Sequence, residues 1–106
     1  MIKIKTNLQD YRVELYKDNK LICSAISNNG YCFLDINSFG GYLLKIFVGS
    51  TFVIQSSIFY SDDNYIYVIY INQQNNKKVI LKLTDHNYNG LRIEKGNLFL
   101  WHIISK

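Results

Sequence analysis

Asn28-Asn29-Gly30 stands between two runs of strand-forming residues, Leu21–Ser27 and Tyr31–Leu34. An Asn-Gly pair tolerates the positive φ angles of a tight two-residue loop, so it commits both flanks to neighbouring extended strands. Upstream, Tyr11-Arg12-Val13-Glu14-Leu15 alternates apolar and polar residues, and the polar corner Lys17-Asp18-Asn19-Lys20 separates it from Leu21. Downstream, Gly40-Gly41-Tyr42 opens another alternating run that reaches Ile46. This order of strand, corner, strand, turn and strand leaves no room for a helix.

The same punctuation continues along the chain. Gly41–Val48, Thr51–Tyr60, Tyr65–Asn72, Val79–Thr84 and Asn97–Ile104 are dominated by Val, Ile, Tyr and Phe, the composition of strands. Gly49-Ser50, Asp62-Asp63-Asn64, Gln73 to Asn76, Asn89-Gly90 and Lys95-Gly96 supply the breaks. Tyr60–Tyr70, the only stretch with a trace of helical spacing, divides into two strands around Asp62-Asp63-Asn64. The chain reads as all-β.

With 106 residues, 48% of them hydrophobic and 19% charged, the chain suits a single domain over residues 1–106 with one core. No apolar run approaches the roughly 20 residues of a membrane-spanning helix. Met1-Ile2-Lys3-Ile4-Lys5 alternates instead of forming the apolar stretch of a signal peptide. A cytoplasmic location is the default expectation, or a surface location reached by another route or within a larger parent. The net charge of +4 is mild. Lys3 and Lys5 are interleaved with apolar residues, and only Lys77-Lys78, with Lys82 nearby, form a cluster. That pattern describes a solvated surface and not the basic face of a nucleic-acid binder.

Alternation assigns faces. Tyr11, Val13 and Leu15 point one way, with Arg12, Glu14 and Tyr16 opposite, and Tyr42, Leu44 and Ile46 oppose Leu43, Lys45 and Phe47. Two segments do not alternate. Ile66–Ile71 is apolar on both sides, and Leu98–Trp101 nearly so. Such a strand is covered on both faces within the domain, or its second face meets another molecule. Tyr67 and Ile69 are therefore candidate interaction residues. Leu83–Ile93 reads as a polar loop, with Tyr88 and Arg92 as candidates on it.

Cys23 and Cys32 are expected to be reduced. On a hairpin closed by Asn29-Gly30, Ser27 faces Cys32, and Cys23 lies about 13 Å further along the strand, beyond the roughly 7 Å that a disulfide spans.

Strand, polar corner, strand, then Gly30-Tyr31-Cys32-Phe33 and Gly41-Tyr42-Leu43-Leu44, preceded by Val13 and Leu15, resembles the repeat of prealbumin-like sandwiches. Collagen-adhesin B-type and carboxypeptidase-regulatory-like domains are of this kind. The resemblance covers the first half of the chain. It implies a prealbumin-like or immunoglobulin-like β-sandwich of about seven strands, a small OB-like β-barrel being the alternative. Collagen-adhesin B-type domains often carry a Lys-Asn isopeptide bond promoted by a buried acid, which the resemblance would place at Ile46. With isoleucine there, neither Lys3 nor Lys5 would be activated toward Asn97. The chain also lacks the Tyr-Arg-Gly-Ser tail of transthyretin-related hydrolases, ending instead in His102-Ile103-Ile104-Ser105-Lys106.

No nucleophile elbow, phosphate loop or metalloprotease motif occurs. Asp62-Asp63-Asn64 lacks the alternating oxygen ligands of a calcium loop and reads as a turn. No catalytic, cofactor or metal site is expected. Two functions follow. The first is a structural or protein-interaction module, associating with itself or another protein through strand 65–72. The second is carbohydrate binding by exposed aromatics, with Tyr16, Tyr88, Trp101 and His102 as stacking candidates and Arg92 as hydrogen-bond donor.

Overall fold

The computed structural model describes residues 1–72, 74–75 and 77–84, and the backbone of two further strands at 91–94 and 97–100. Among the described residues every regular element is a strand. In order they are β1 (Ile2–Thr6), β2 (Arg12–Lys17), β3 (Lys20–Ile26), β4 (Tyr31–Leu34), β5 (Gly40–Val48), β6 (Thr51–Tyr60), β7 (Tyr65–Asn72), β8 (Lys77–Thr84), β9 (Leu91–Glu94) and β10 (Asn97–Leu100).

Eight strands form two four-stranded sheets, β4-β1-β7-β8 and β3-β2-β5-β6, packed together as a sandwich, and β9 and β10 form a separate antiparallel pair. The second sheet is antiparallel throughout. In the first, β1 runs parallel to β7, with Ile4 opposite Tyr67 and Thr6 opposite Ile69. Leu91–Glu94, read from sequence as part of a polar loop, is a strand paired with Asn97–Leu100. Leu91-Arg92-Ile93-Glu94 does alternate, but a run of 4 residues is too short to announce a strand without its partner β10.

The core lies between the two inner faces. One sheet contributes Val13, Leu15, Tyr42, Leu44, Ile46, Ile54, Ile58 and Tyr60, and the other Ile2, Ile4, Cys32, Leu34, Tyr67, Ile69 and Ile71. The alternation in β2 and β5 thus points Val13, Leu15, Tyr42, Leu44 and Ile46 inward. Among the described residues no buried side-chain polar atom lacks a hydrogen-bond partner.

Turn chemistry matches its sequence signals. Asp18 and Asn19 both adopt positive φ (52° and 64°) and join β2 to β3 by a two-residue loop, the mirror-image turn that suits strand twist. Asn29 and Gly30 do the same at 54° and 82°, and Asn28 and Tyr31 exchange backbone hydrogen bonds across the turn.

There the expected hairpin stops. The ladder from Asn28–Tyr31 does not extend to a Ser27–Cys32 pair. Instead Ser27 N–H donates to the Tyr11 carbonyl, and β4 leaves for the opposite sheet to pair with β1, Cys32 facing Ile4. The Gly30 carbonyl fixes this corner by accepting the buried Tyr11 hydroxyl at 2.7 Å. A distance between Cys23 and Cys32 counted along one hairpin therefore does not apply. The two residues sit on different sheets, and both thiols are free.

The packing sets the scale of mutational cost. Leu44→Ala, at a fully buried position, is expected to lower unfolding free energy by about 3 kcal/mol. Phe59→Ala, on an exposed ring, should shift it by less than about 0.5 kcal/mol. Urea denaturation midpoints of the two variants measure both values.

Candidate functional site

Strand β7 is buried on both faces. Tyr67 and Ile69 are 3% and 0% exposed and face the sandwich core, where the Tyr67 hydroxyl crosses to β6 and donates to the Phe59 carbonyl at 2.5 Å. On the strand's other side Ile66 and Val68 are also buried, in a second cluster with Leu83, against which Tyr31 and Leu81 pack. Both faces of the strand are thus covered within a single chain. The sequence identified the two-sided apolar character correctly, but not which side of the alternative it implied.

Of the other sequence candidates, Arg92 lies in β9 at the register position opposite Phe99. Tyr88, Trp101 and His102 lie outside the described residues. Tyr16 is half-buried: Lys45 sits 4.6 Å from its ring centroid, and its hydroxyl donates to Glu14 at 2.6 Å. One ring face and the polar tip are already engaged. Lys3 donates to the Asp63 carbonyl, and Lys5 lies over the Tyr31 ring, while Ile46 is fully buried. Asp62 accepts the Asn64 N–H at 2.9 Å, closing the Asx turn between β6 and β7.

The structure assembles a different surface, on the outer side of β3-β2-β5-β6. The register sets Ile26, Arg12, Phe47 and Phe52 in one row across the four strands, Ser24, Glu14, Lys45 and Gln55 in the next, and Leu21, Tyr16, Leu43 and Ser57 in a third. Phe59 follows beside Gly41. Ile26, Phe59, Leu21 and Phe52 are 78%, 65%, 55% and 51% exposed. The Arg12 guanidinium covers Phe47, and its Nη1 also donates to Glu14 at 2.5 Å. The Tyr16 hydroxyl, with Arg12 beside it, holds the Glu14 carboxyl below the usual carboxylate range. Charge on this face is therefore internally paired, and its apolar groups cluster toward the margins.

One of those margins is β6. Among the described strands the sandwich has four edges, β3, β4, β6 and β8. Proteins blunt such edges with charge, shortness or bulges, because unpaired N–H and C=O groups attract foreign strands. β4 is only 4 residues long; β8 carries Lys77, Lys78 and Lys82; β3 carries Lys20 and an irregular register against β2. β6 is 10 residues long, Thr-Phe-Val-Ile-Gln-Ser-Ser-Ile-Phe-Tyr, with no charge, glycine or proline. Its register against β5 shifts once, between Ile54 and Phe52, leaving Ile54–Tyr60 regular.

Where β6 begins, the edges of the two sheets part to leave an open cleft of about 870 Å³, walled by Val48, Thr51, Phe52, Val53, Ile54, Gln55 and Lys78. At the strand's other end the gap is bridged, Lys82 donating to the Ser61 hydroxyl at 2.8 Å. The sequence held one signal for this site, the missing charge in Thr51–Tyr60. What it could not supply was the strand order that puts this segment at an edge.

No family model matches the chain, and no curated protein or solved structure matches it either.

The thiols differ in accessibility. Burial pushes the Cys32 thiol up to about 11 and raises that of the half-buried Cys23 as well. Because the thiolate is the reactive form, Cys32 is expected to stay unmodified by a chromogenic disulfide reagent at pH 8 in the folded protein. Both cysteines should react promptly in denaturing urea. Rapid labelling of two thiols per native chain would contradict the burial of Cys32.

Proposed function

We propose that this chain is an interaction module, not an enzyme, and that it takes up a β-strand of another protein along the free side of β6. The observation that carries this reading is the contrast among the four edges: β4 is short, β3 and β8 carry lysine, and β6, one of the longest strands, has no charge and only a single bulge confined to its start. Strand addition uses main-chain hydrogen bonds for affinity and pockets beside the edge for side-chain selectivity. The cleft walled by Val48, Phe52, Val53 and Ile54 is such a pocket, and Phe59 and Phe52 offer apolar surface on the outer side.

The family resemblance belongs to the same reading. A prealbumin-like scaffold is supported by Gly30 in the turn before β4 and by Gly41-Tyr42 at the start of β5, with the Tyr42 ring directed into the core. On such a scaffold the aromatic residues are structural, and specificity resides in the edge and its flanking pocket.

Peptide display against the immobilised domain tests the proposal. Selected peptides are expected to be extended, with alternating apolar positions and little charge. Their binding should weaken at least about tenfold in Ser57→Lys and Gln55→Lys, which place charge at exposed positions of β6. Peptides that bind these variants as well as the parent would refute the edge as the site.

A further inference from the structure

Resting on that strand-accepting reading, we infer that the strand β6 receives is β6 of a second copy, paired antiparallel about a two-fold axis at Ser57. The bulge near Val53 limits regular pairing to Ile54–Tyr60, and Ser57 is the midpoint of that run. A two-fold axis there pairs Ile54 with Tyr60, Gln55 with Phe59, Ser56 with Ile58 and Ser57 with itself, using the whole regular stretch. Any other centre leaves part of it unpaired.

The faces agree as well. Residues opposite each other in an antiparallel pair share a face, and this register joins inward Ile54, Ser56, Ile58 and Tyr60 only to one another. Exposed Gln55, Ser57 and Phe59 likewise meet their own set. The inner layers of the two copies become continuous, and so do the outer ones. The result is one eight-stranded sheet with no like charges opposed along the joint, because β6 contains none. A strand bearing a single lysine near its centre would bring that lysine against its own copy.

The ends are complementary. Lys78 stands beside the start of β6, in the cleft with Ile54 and Gln55, and Asp62 and Asp63 follow its end. Antiparallel pairing brings the start of one strand to the end of the other, so Lys78 of each copy approaches the Asp62-Asp63 turn of its mate. At that end Asp63 already pairs with the Met1 ammonium at 2.7 Å, Lys3 donates to the Asp63 carbonyl, and Lys82 is held on Ser61 and lies over the Tyr65 ring, so the Asp62 carboxylate is the group that meets Lys78. Partner chemistry, symmetry and register all follow from this one strand.

Sedimentation velocity over a concentration series should show a monomer–dimer equilibrium that Ser57→Lys weakens at least about tenfold, its fold being checked by circular dichroism. In a Cys23→Ala background, Ser57→Cys should form a disulfide-linked dimer under mild oxidation, since paired Cα atoms lie about 5 Å apart. Phe59→Cys should not, its two copies being about 13 Å apart in this register. A chain that stays monomeric overturns the inference. A dimer unaffected by Ser57→Lys, or one that Phe59→Cys links as readily as Ser57→Cys, overturns it too. A monomer that still binds display-selected peptides along β6 rejects the second copy as occupant and leaves strand acceptance standing.

Discussion

Strand β7 is the member on which both layers depend. It has parallel β1 on one side and antiparallel β8 on the other, and it buries side chains on both faces. Its inward face meets the opposite sheet, where the Tyr67 hydroxyl reaches the main chain of β6. Just beyond β1, the Asn7 side chain accepts the Ile71 N–H and donates to the Ile71 carbonyl, at 2.7 and 2.8 Å, extending the parallel pairing with a side-chain amide. An uncharged, two-sided strand is tolerable here because no edge of it is free. The same lack of charge stands in a different setting in β6, which among the described strands has only β5 as a neighbour.

Local order was legible because single residues carry it. The turn residues Asp18-Asn19 and Asn29-Gly30 adopt the positive φ angles that their chemistry allows, and alternation in β2 and β5 names the buried side chains. What sequence could not show was which strands become neighbours. Asn29-Gly30 makes a hairpin turn, yet Tyr31–Leu34 pairs with Ile2–Lys5 and not with the strand before it. Nothing within Tyr31–Leu34 distinguishes those partners. The choice is made by Tyr11, whose hydroxyl holds the Gly30 carbonyl, and by burial of Cys32 and Leu34 against the opposite sheet.

The candidate site was legible in part for the same reason. Apolar character on both sides of Ile66–Ile71 and absence of charge from Thr51–Tyr60 are equally visible in one dimension. Only sheet order separates a strand that needs no protection from one left without it. Lysine placement then acquires a structural sense: Lys20, Lys77, Lys78 and Lys82 stand on edge strands β3 and β8, where their charge discourages pairing.

The parallel joint between β1 and β7 also bears on how the chain reaches this fold. The Asn7–Ile71 contact spans 64 residues, and closing a loop of that length precedes any gain from the β4-β1-β7-β8 sheet. The β2–β3 and β5–β6 hairpins close over two-residue loops and need no such wait. The β1–β7 joint thus closes a longer loop than the pairing of β2 with β5, and β5–β6 can pair before either. Until the opposite sheet is in place, a paired β6 has its apolar inner face uncovered as well as its edge. A chain whose second sheet has not closed therefore exposes the same uncharged strand along both its edge and its face, the condition in which aggregation competes with folding.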